Sequence, residues 1–308
     1  MATTQLLSLE QVRGLFDLAT QFRDSPHQAL LEGRLLGTLF VQPSTRTRLS
    51  FEAAMLRLGG MATGFDELES TRAGDCFQES LEDITRIMGS VADIVVLRHP
   101  QNGAADRAIE LLDVPVINAG DGTNEHPTQA LSDIWIMEQA LGGLSGRVIG
   151  LGGELNNRAY HSFLPLLALF DIAKIVLLPP PGGAVPERIT AMLKQYEFDW
   201  EVCSTMTEFV STADVVELVP MFLPDYNRAF STEFEADDAA IPATHILNRS
   251  VLKKTQSSIP ILHPGPRTAE LSADLDKLPN FFFFRQVAWG VFMRMAVIYS
   301  ILGDSADG

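Results

Sequence analysis

Short apolar runs bounded by turn residues alternate along the chain with segments whose apolar residues recur at helical spacing, the pattern of parallel strands crossed by helices. Residues 35–41 read as a strand. Phe51, Met55 and Leu58 then recur at i, i+4 and i+7, a helix face that ends at Gly59-Gly60. Residues 92–97 and 114–118 predict two further strands, with an amphipathic helix over 129–141. A second series follows: strand 147–151, helix 159–170, strand 174–178, helix 186–196, strand 215–219 and a last short strand at 259–262. The two series meet near 141–145 and predict an α/β fold of two domains, each a parallel sheet with helices on both faces. The expected bounds are 1–137 for the first domain and 138–285 for the second, with 286–308 holding a closing helix that packs back on the first. Loops 67–76 and 221–234 are long for such domains, and long loops of this kind are lids or disordered segments.

A length of 308 residues agrees with two domains at roughly 150 residues each. The formal net charge of −16 argues against a nucleic-acid or anionic-membrane partner, since either needs a basic footprint. An anionic small substrate stays open, because a few arginines can make a local positive pocket. Cys76 and Cys203 alone cannot build a zinc quartet or a disulfide framework, which suits a reducing, cytoplasmic compartment. Neither a signal-peptide pattern nor an apolar run of spanning length is expected.

Candidate chemistry collects where strands end. Ser44-Thr45-Arg46-Thr47-Arg48 lies between the first strand and its helix, where hydroxyls, free N–H groups and the helix dipole favour an anion. The same residues also suit an ordinary N-cap with exposed arginines. Arg98-His99-Pro100 ends the next strand, and His126-Pro127-Thr128-Gln129 follows the third. In open α/β sheets ligands bind at the carboxyl ends of strands, so Thr47, Arg98, His126 and Gln129 suit a carbonyl-polarising arrangement, while a lone His such as His126 also suits a satisfied structural residue. Metal ligation is not expected from six scattered histidines. Gly152-Gly153 invites a dinucleotide reading, which is weak without G-x-G-x-x-G. Arg158 at a helix start reads as a carboxylate or phosphate clamp or as a solvated arginine. His263-Pro264-Gly265-Pro266-Arg267 makes a rigid turn whose carbonyls face a ligand or simply stiffen a loop.

Together these segments resemble the aspartate/ornithine carbamoyltransferase family, more closely its aspartate branch. Ser44 to Arg48 with Ser50-Phe51-Glu52, Arg98-His99-Pro100-Gln101, Asn118-Ala119-Gly120-Asp121-Gly122 running into His126-Pro127-Thr128-Gln129, His263 to Arg267 with Glu270-Leu271, and the ending 284–295 carry the likeness in family order. The resemblance implies a carbamoyltransferase of pyrimidine biosynthesis that moves the carbamoyl group of carbamoyl phosphate to an amino acid. The first domain would take carbamoyl phosphate and the second the amine. Phosphate would rest on Ser44, Thr45, Arg46 and Thr47, supported by Arg98, and Thr47, Arg98 and His126 would polarise the carbamoyl oxygen. Gln129 and the backbone near Pro264 and Gly265 would hold the carbamoyl amino group, with Arg158 and Arg267 as further substrate contacts. No cofactor or metal is implied. A homotrimer with sites at subunit interfaces is implied, and regulatory or partner subunits are a further possibility.

Three departures fall on the acceptor side. Phe77 stands where the aspartate branch has a Lys, for which Arg72 is a candidate substitute. Pro220-Met221-Phe222 occupies a position where the branch carries an Arg and then a Gln. Gln42 replaces a Glu, so an ion pair there is impossible. From these changes the sequence leaves three expectations: aspartate as acceptor, a different amine, or a non-catalytic paralog.

Overall fold

The computed structural model of the chain describes residues 1–66, 71, 79–222 and 241–303. Its backbone divides into two compact units: Met1–Ser132 together with Val287–Gly308, and Asp133–Gln286. Each is built on its own parallel sheet.

In the first unit, β1 (Leu35–Phe40), β2 (Met61–Phe65), β3 (Ile94–His99) and β4 (Val116–Asp121) lie in the order β2-β1-β3-β4, all neighbours parallel. Between them run α2 (Thr45–Arg57), α3 (Leu81–Val91) and α4 (Ala104–Leu111), after an opening helix α1 (Leu9–Asp24). A capping box fixes the start of α1: Ser8 Oγ accepts from Gln11 N–H, and Gln11 Oε1 accepts from Ser8 N–H. β1, β3 and β4 are almost wholly buried, as expected of parallel strands covered on both faces. Ile84 and Met88 of α3 and Ala104, Ala105 and Ala108 of α4 pack on Leu39, Val95, Leu97 and Val116. Gly37 makes this approach possible, since a Cβ there would sit 2.6 Å from Met88 Sδ. The unit is completed by residues of the last helix, α10 (Phe283–Leu302): Tyr299 meets Phe22 edge-on, and Arg294 lies over the Phe51 ring.

The second unit takes the order β7-β6-β5-β8-β9, again parallel, from β5 (Val148–Gly152), β6 (Lys174–Leu178), β7 (Trp200–Val202), β8 (Val215–Leu218) and β9 (Ile261–Leu262). Its helices are α6 (Arg158–Leu167), α7 (Glu187–Gln195), α8 (Met206–Thr212) and α9 (Arg249–Thr255). Val176, Leu178, Val216, Leu218 and Ile261 pack with Met206, Phe209, Leu252, Leu271 and Phe281 in one apolar cluster. The helix α5 (Pro127–Leu141) carries the division between units at Ser132/Asp133, and α10 carries the other at Gln286/Val287.

The α/β class and the parallel sheets are as the apolar pattern predicts. Strand 174–178 matches residue for residue, while others shift by one to three residues at an end. The strand β2 escapes the pattern because its positions are exposed or half-buried, with none fully buried. Most of the loop 67–76 and most of 221–234 lie outside the described residues, as do Cys76, Phe77 and Arg72. No helix among the described residues is long and apolar enough to cross a membrane.

Candidate functional site

Strand register brings the first unit's candidates to one sheet edge. Phe40 of β1 lies opposite Arg98 of β3, and His99 opposite Asp121 of β4. The chain leaving β1 stays close to β3, because Val41 and Gln42 N–H both donate to the Arg98 carbonyl, at 2.9 and 3.3 Å. Ser44 then caps α2 with an extended backbone, and its hydroxyl makes no capping hydrogen bond. That leaves a hydroxyl and the helix's first N–H groups at the positive end of the dipole. Thr45 is exposed, and Thr47 is buried one turn in, where its carbonyl accepts from Ser50 Oγ at 2.8 Å.

The two arginines of this helix differ in kind. Arg48 is neutralised by Glu52 at 2.7 Å and Asp66 at 2.6 Å; burial works against its charge, but these partners raise its proton affinity overall. Arg46 has no acidic partner among the described residues, and partial burial alone lowers its proton affinity. A half-desolvated cation beside free hydroxyls and a helix N-terminus is a site that gains by taking up an anion.

Arg98 leans along the edge, its Nη1 donating to the Ala119 carbonyl at 3.0 Å. His99, its neighbour, is a structural residue. Its Nδ1 accepts from Gln101 N–H at 3.0 Å, and burial, with Arg107 adding to it, pushes its pKa down to about 4. The approach to His126 is built by buried carboxylates. Asp121 accepts from Asn118 Nδ2, Gly103 N–H, Asn124 Nδ2 and Glu125 N–H. Glu125 in turn accepts from Thr3 Oγ1 at 2.7 Å and from Thr4 N–H and Gln5 Nε2. His126 is buried just before α5, and its carbonyl accepts from Gln129 N–H at 3.1 Å, so the pair sits on a first helical turn. Sequence reasoning did not single out Glu125 as the anchor of this corner, although a charged residue directly before His126-Pro127 is a readable signal of it.

In the second unit the carboxyl ends of β5, β8 and β9 form another edge, carrying Arg158, Pro220-Met221-Phe222 and the 263–267 turn. Gly153 follows β5 at φ +100°, and a Cβ there would meet the Val219 carbonyl oxygen at 2.1 Å. Its neighbour Gly152 ends the strand itself, so Gly152-Gly153 serves a close passage between β5 and β8; the dinucleotide reading has no support in this geometry. Asn157 caps α6 by accepting from Ala159 N–H at 3.0 Å and sets Arg158, which is buried, as the first helical residue. Met221 is fully buried and Phe222 half-exposed, so the segment after β8 is apolar.

The last turn is held from behind. Gly265 N–H donates to His263 Nδ1 at 2.8 Å, which places the ring proton on Nε2, 3.1 Å from Glu270 Oε1. Glu270 is fully buried; burial opposes its charge, but bonds from His263 and from Thr268 keep its pKa below the ordinary carboxylate value. Arg267 is paired with Asp276 and lies over the Phe283 ring. Pro264 and Gly265 therefore stand in a fixed backbone. Sequence reasoning missed the buried polar residues beneath this edge, Asp133, Tyr160 and Glu217; the readable signal is Glu217 inside the apolar run Val215–Leu218.

Comparison with known proteins points the same way across the whole chain. Residues 1–139 match the family model described as "Aspartate/ornithine carbamoyltransferase, carbamoyl-P binding domain", and 145–301 match the "Asp/Orn binding domain" of the same family. The aspartate carbamoyltransferase catalytic subunit of Clostridium novyi (strain NT) is 34% identical over 96% of this chain and 95% of its own. That of Clostridium botulinum (strain Loch Maree / Type A3) is 36% identical over the same shares, 96% and 95%. Among solved structures, Trypanosoma cruzi aspartate transcarbamoylase in complex with carbamoyl phosphate and aspartate is similar at a TM-score of 0.85, with 30% identity, covering 98% of this chain and 94% of that one. With family models matching residues 1–139 and 145–301 and relatives above 30% identity over nearly the full length, this chain belongs to the aspartate/ornithine carbamoyltransferase family.

Proposed function

We propose that this chain is an aspartate carbamoyltransferase, transferring the carbamoyl group of carbamoyl phosphate to the amino group of L-aspartate, a step of pyrimidine synthesis. The observation that carries the reading is Arg46, half-buried without an acidic partner among the described residues at the head of α2. Beside it stand the hydroxyls of Ser44, Thr45 and Thr47, at the edge that also holds Arg98 and His126. The matched names of both domains and the ligands in the similar structure support the same substrates.

In this mechanism the phosphate of carbamoyl phosphate is held by Ser44, Thr45, Arg46 and Thr47, with Arg98 adding charge. Thr47, Arg98 and His126 polarise the carbamoyl oxygen, and Gln129 holds the carbamoyl amino group. The neutral amine of aspartate attacks the carbamoyl carbon, forming a C–N bond and a tetrahedral oxyanion that the same three groups stabilise. Collapse breaks the C–O bond to phosphate, which leaves with its electron pair, and the nitrogen loses a proton. Positioning and charge stabilisation supply the rate. In the second unit, Arg158 and the backbone of Pro264 and Gly265 are the substrate contacts of this mechanism; Arg267, already paired with Asp276, holds the turn instead. Arg72, outside the described residues, supplies the cation that Phe77 does not.

Loss of an arginine and glutamine pair at 220–222 would remove about 2–5 kcal/mol of carboxylate binding if nothing replaced it. The relatives' names favour compensation, with aspartate retained. The functional oligomer is a cytoplasmic homotrimer. Exposed Leu49 and Leu56, on one face of α2, and Met61 on the edge strand β2 supply apolar surface for such an assembly. Release of phosphate with formation of the ureido product, from carbamoyl phosphate and L-aspartate, tests the assignment. Saturable turnover is expected; turnover with another amino acid only, or none, overturns it.

A further inference from the structure

Glu217 is a carboxylate in a dry place. It is fully buried on β8, and neither of its side-chain oxygens meets an N–H or O–H donor among the described residues. The polar side chain facing it is Asp133 of α5, also fully buried. On its other side, Tyr160 of α6 places its hydroxyl 2.9 Å from the Glu217 backbone carbonyl and 2.8 Å from that of Gly152. Asp133 and Tyr160 are both titratable groups that bear on Glu217.

Hydrogen-bond directions decide where a proton sits. His263 N–H donates to Gln286 Oε1 at 2.8 Å, and a backbone N–H can only donate. The amide of Gln286 is thereby oriented, and its Nε2 donates to Asp133 Oδ1. Asp133 Oδ1 is then an acceptor, and a bond accepted there favours the ionised form of Asp133, whereas no donor among the described residues favours an ionised Glu217. Two facing carboxylates in a dry interior cannot both stay ionised. Of the two, Glu217 is the carboxyl that no donor among the described residues stabilises as an anion, so the proton falls to it.

We propose that Glu217 carries a proton and donates it to Asp133, making it a positioning residue for the 263–267 turn through Asp133, Gln286 and His263. The turn's role in ligand binding rests on the function proposed above, but the proton does not. Burial, together with the neighbouring Asp133, pushes the Glu217 carboxyl well above the ordinary range, in the direction the geometry requires. A group so raised stabilises the fold fully below the ordinary glutamate range, and that stability is lost as pH rises towards its folded value.

Infrared spectra of the purified full-length chain at pH 7 test the proton directly. A protonated-carboxyl C=O band is expected in the wild type and should vanish in Glu217→Gln; a wild-type spectrum without it overturns the proposal, whether or not the variant folds. Thermal unfolding from pH 5 to 9 gives a second reading. The midpoint of Glu217→Gln should gain on the wild type as pH rises, and a gap that does not change with pH counts against a buried proton. The positioning role is read from kinetics. Glu217→Gln, which keeps a donor, should behave as wild type at pH 7, while Glu217→Leu should raise substrate KM about tenfold. Unchanged KM in a folded Glu217→Leu overturns that role. A protonated-carboxyl band in a chain without transferase activity leaves the proton assigned and overturns only the function.

Discussion

Arg46 and Arg48 are two residues apart in one motif, yet only one is available to a ligand. Arg48 is already satisfied by Glu52 and Asp66, and Arg46 is not satisfied by any acidic group among the described residues. Arg46→Ala should therefore cost about 2–5 kcal/mol of carbamoyl phosphate affinity, roughly 30-fold to several-thousand-fold in Kd. Arg48→Ala removes two partly exposed ion pairs and should change Kd less than about threefold. Titration calorimetry with carbamoyl phosphate separates the two, and equal losses would remove Arg46 from its special place. The motif was legible in the sequence; the division of labour inside it was not, because Asp66 reaches Arg48 only once α2 and β2 are packed. His99 teaches the same lesson. Its folded pKa of about 4 lies below the ordinary value of 6.5, so folding excludes a proton that the unfolded chain binds. Stability should fall as pH drops from about 6.5 towards 4, by up to about 3 kcal/mol, and His99→Asn should flatten that slope in urea unfolding series. An unaltered slope would mean that His99 is not the group responsible.

At the scale of elements, what the sequence disclosed was whatever had a strong period. Strands β1, β3, β6 and β8 are predominantly apolar runs because both faces are covered, and a run of that kind announces itself even with Glu217 or Arg98 inside it. The edge strand β2 has no fully buried position and therefore no pattern to read. Short helices such as α8 and α9, of seven residues each, hold too few turns to show a stripe. The candidate site was legible where motifs follow strands, since the carboxyl edge of a parallel sheet gathers such loops whatever the details. What no pattern disclosed is the support behind the edge: Glu125 on the N-terminal segment, Glu270 on His263, and the passage at Gly153. That last element is testable. Gly153 combines φ +100° with a Cβ position 2.1 Å from the Val219 carbonyl oxygen, so Gly153→Ala must open the β5–β8 crossing. A loss of about 2–4 kcal/mol in equilibrium unfolding is expected. A change below about 0.5 kcal/mol would show that the crossing yields freely.

For the whole molecule the decisive question is whether one chain suffices for one site. A net charge of −16 makes the surface as a whole repel anionic substrates, so binding depends on a few gathered cations such as Arg46 and Arg98. The proposed function adds Arg72, and the family resemblance has the cation of that loop reach a neighbouring subunit's site. Arg46→Ala and Arg72→Ala chains should then each be inactive as pure homotrimers. Mixed in equal amounts, dissociated and reassembled, they form hybrids in which some sites draw Arg46 from one chain and Arg72 from the next. In a closed ring of three, each site needs one particular mutant as the first contributor and the other as the second. Random assembly satisfies both conditions at about one site in four, so activity should return to roughly a quarter of the wild-type value. The same hybrids should run at three times the 33.8 kDa chain mass in light scattering. If both arginines acted within a single chain, every hybrid site would lack one of them, and the mixture would stay as inactive as its parents.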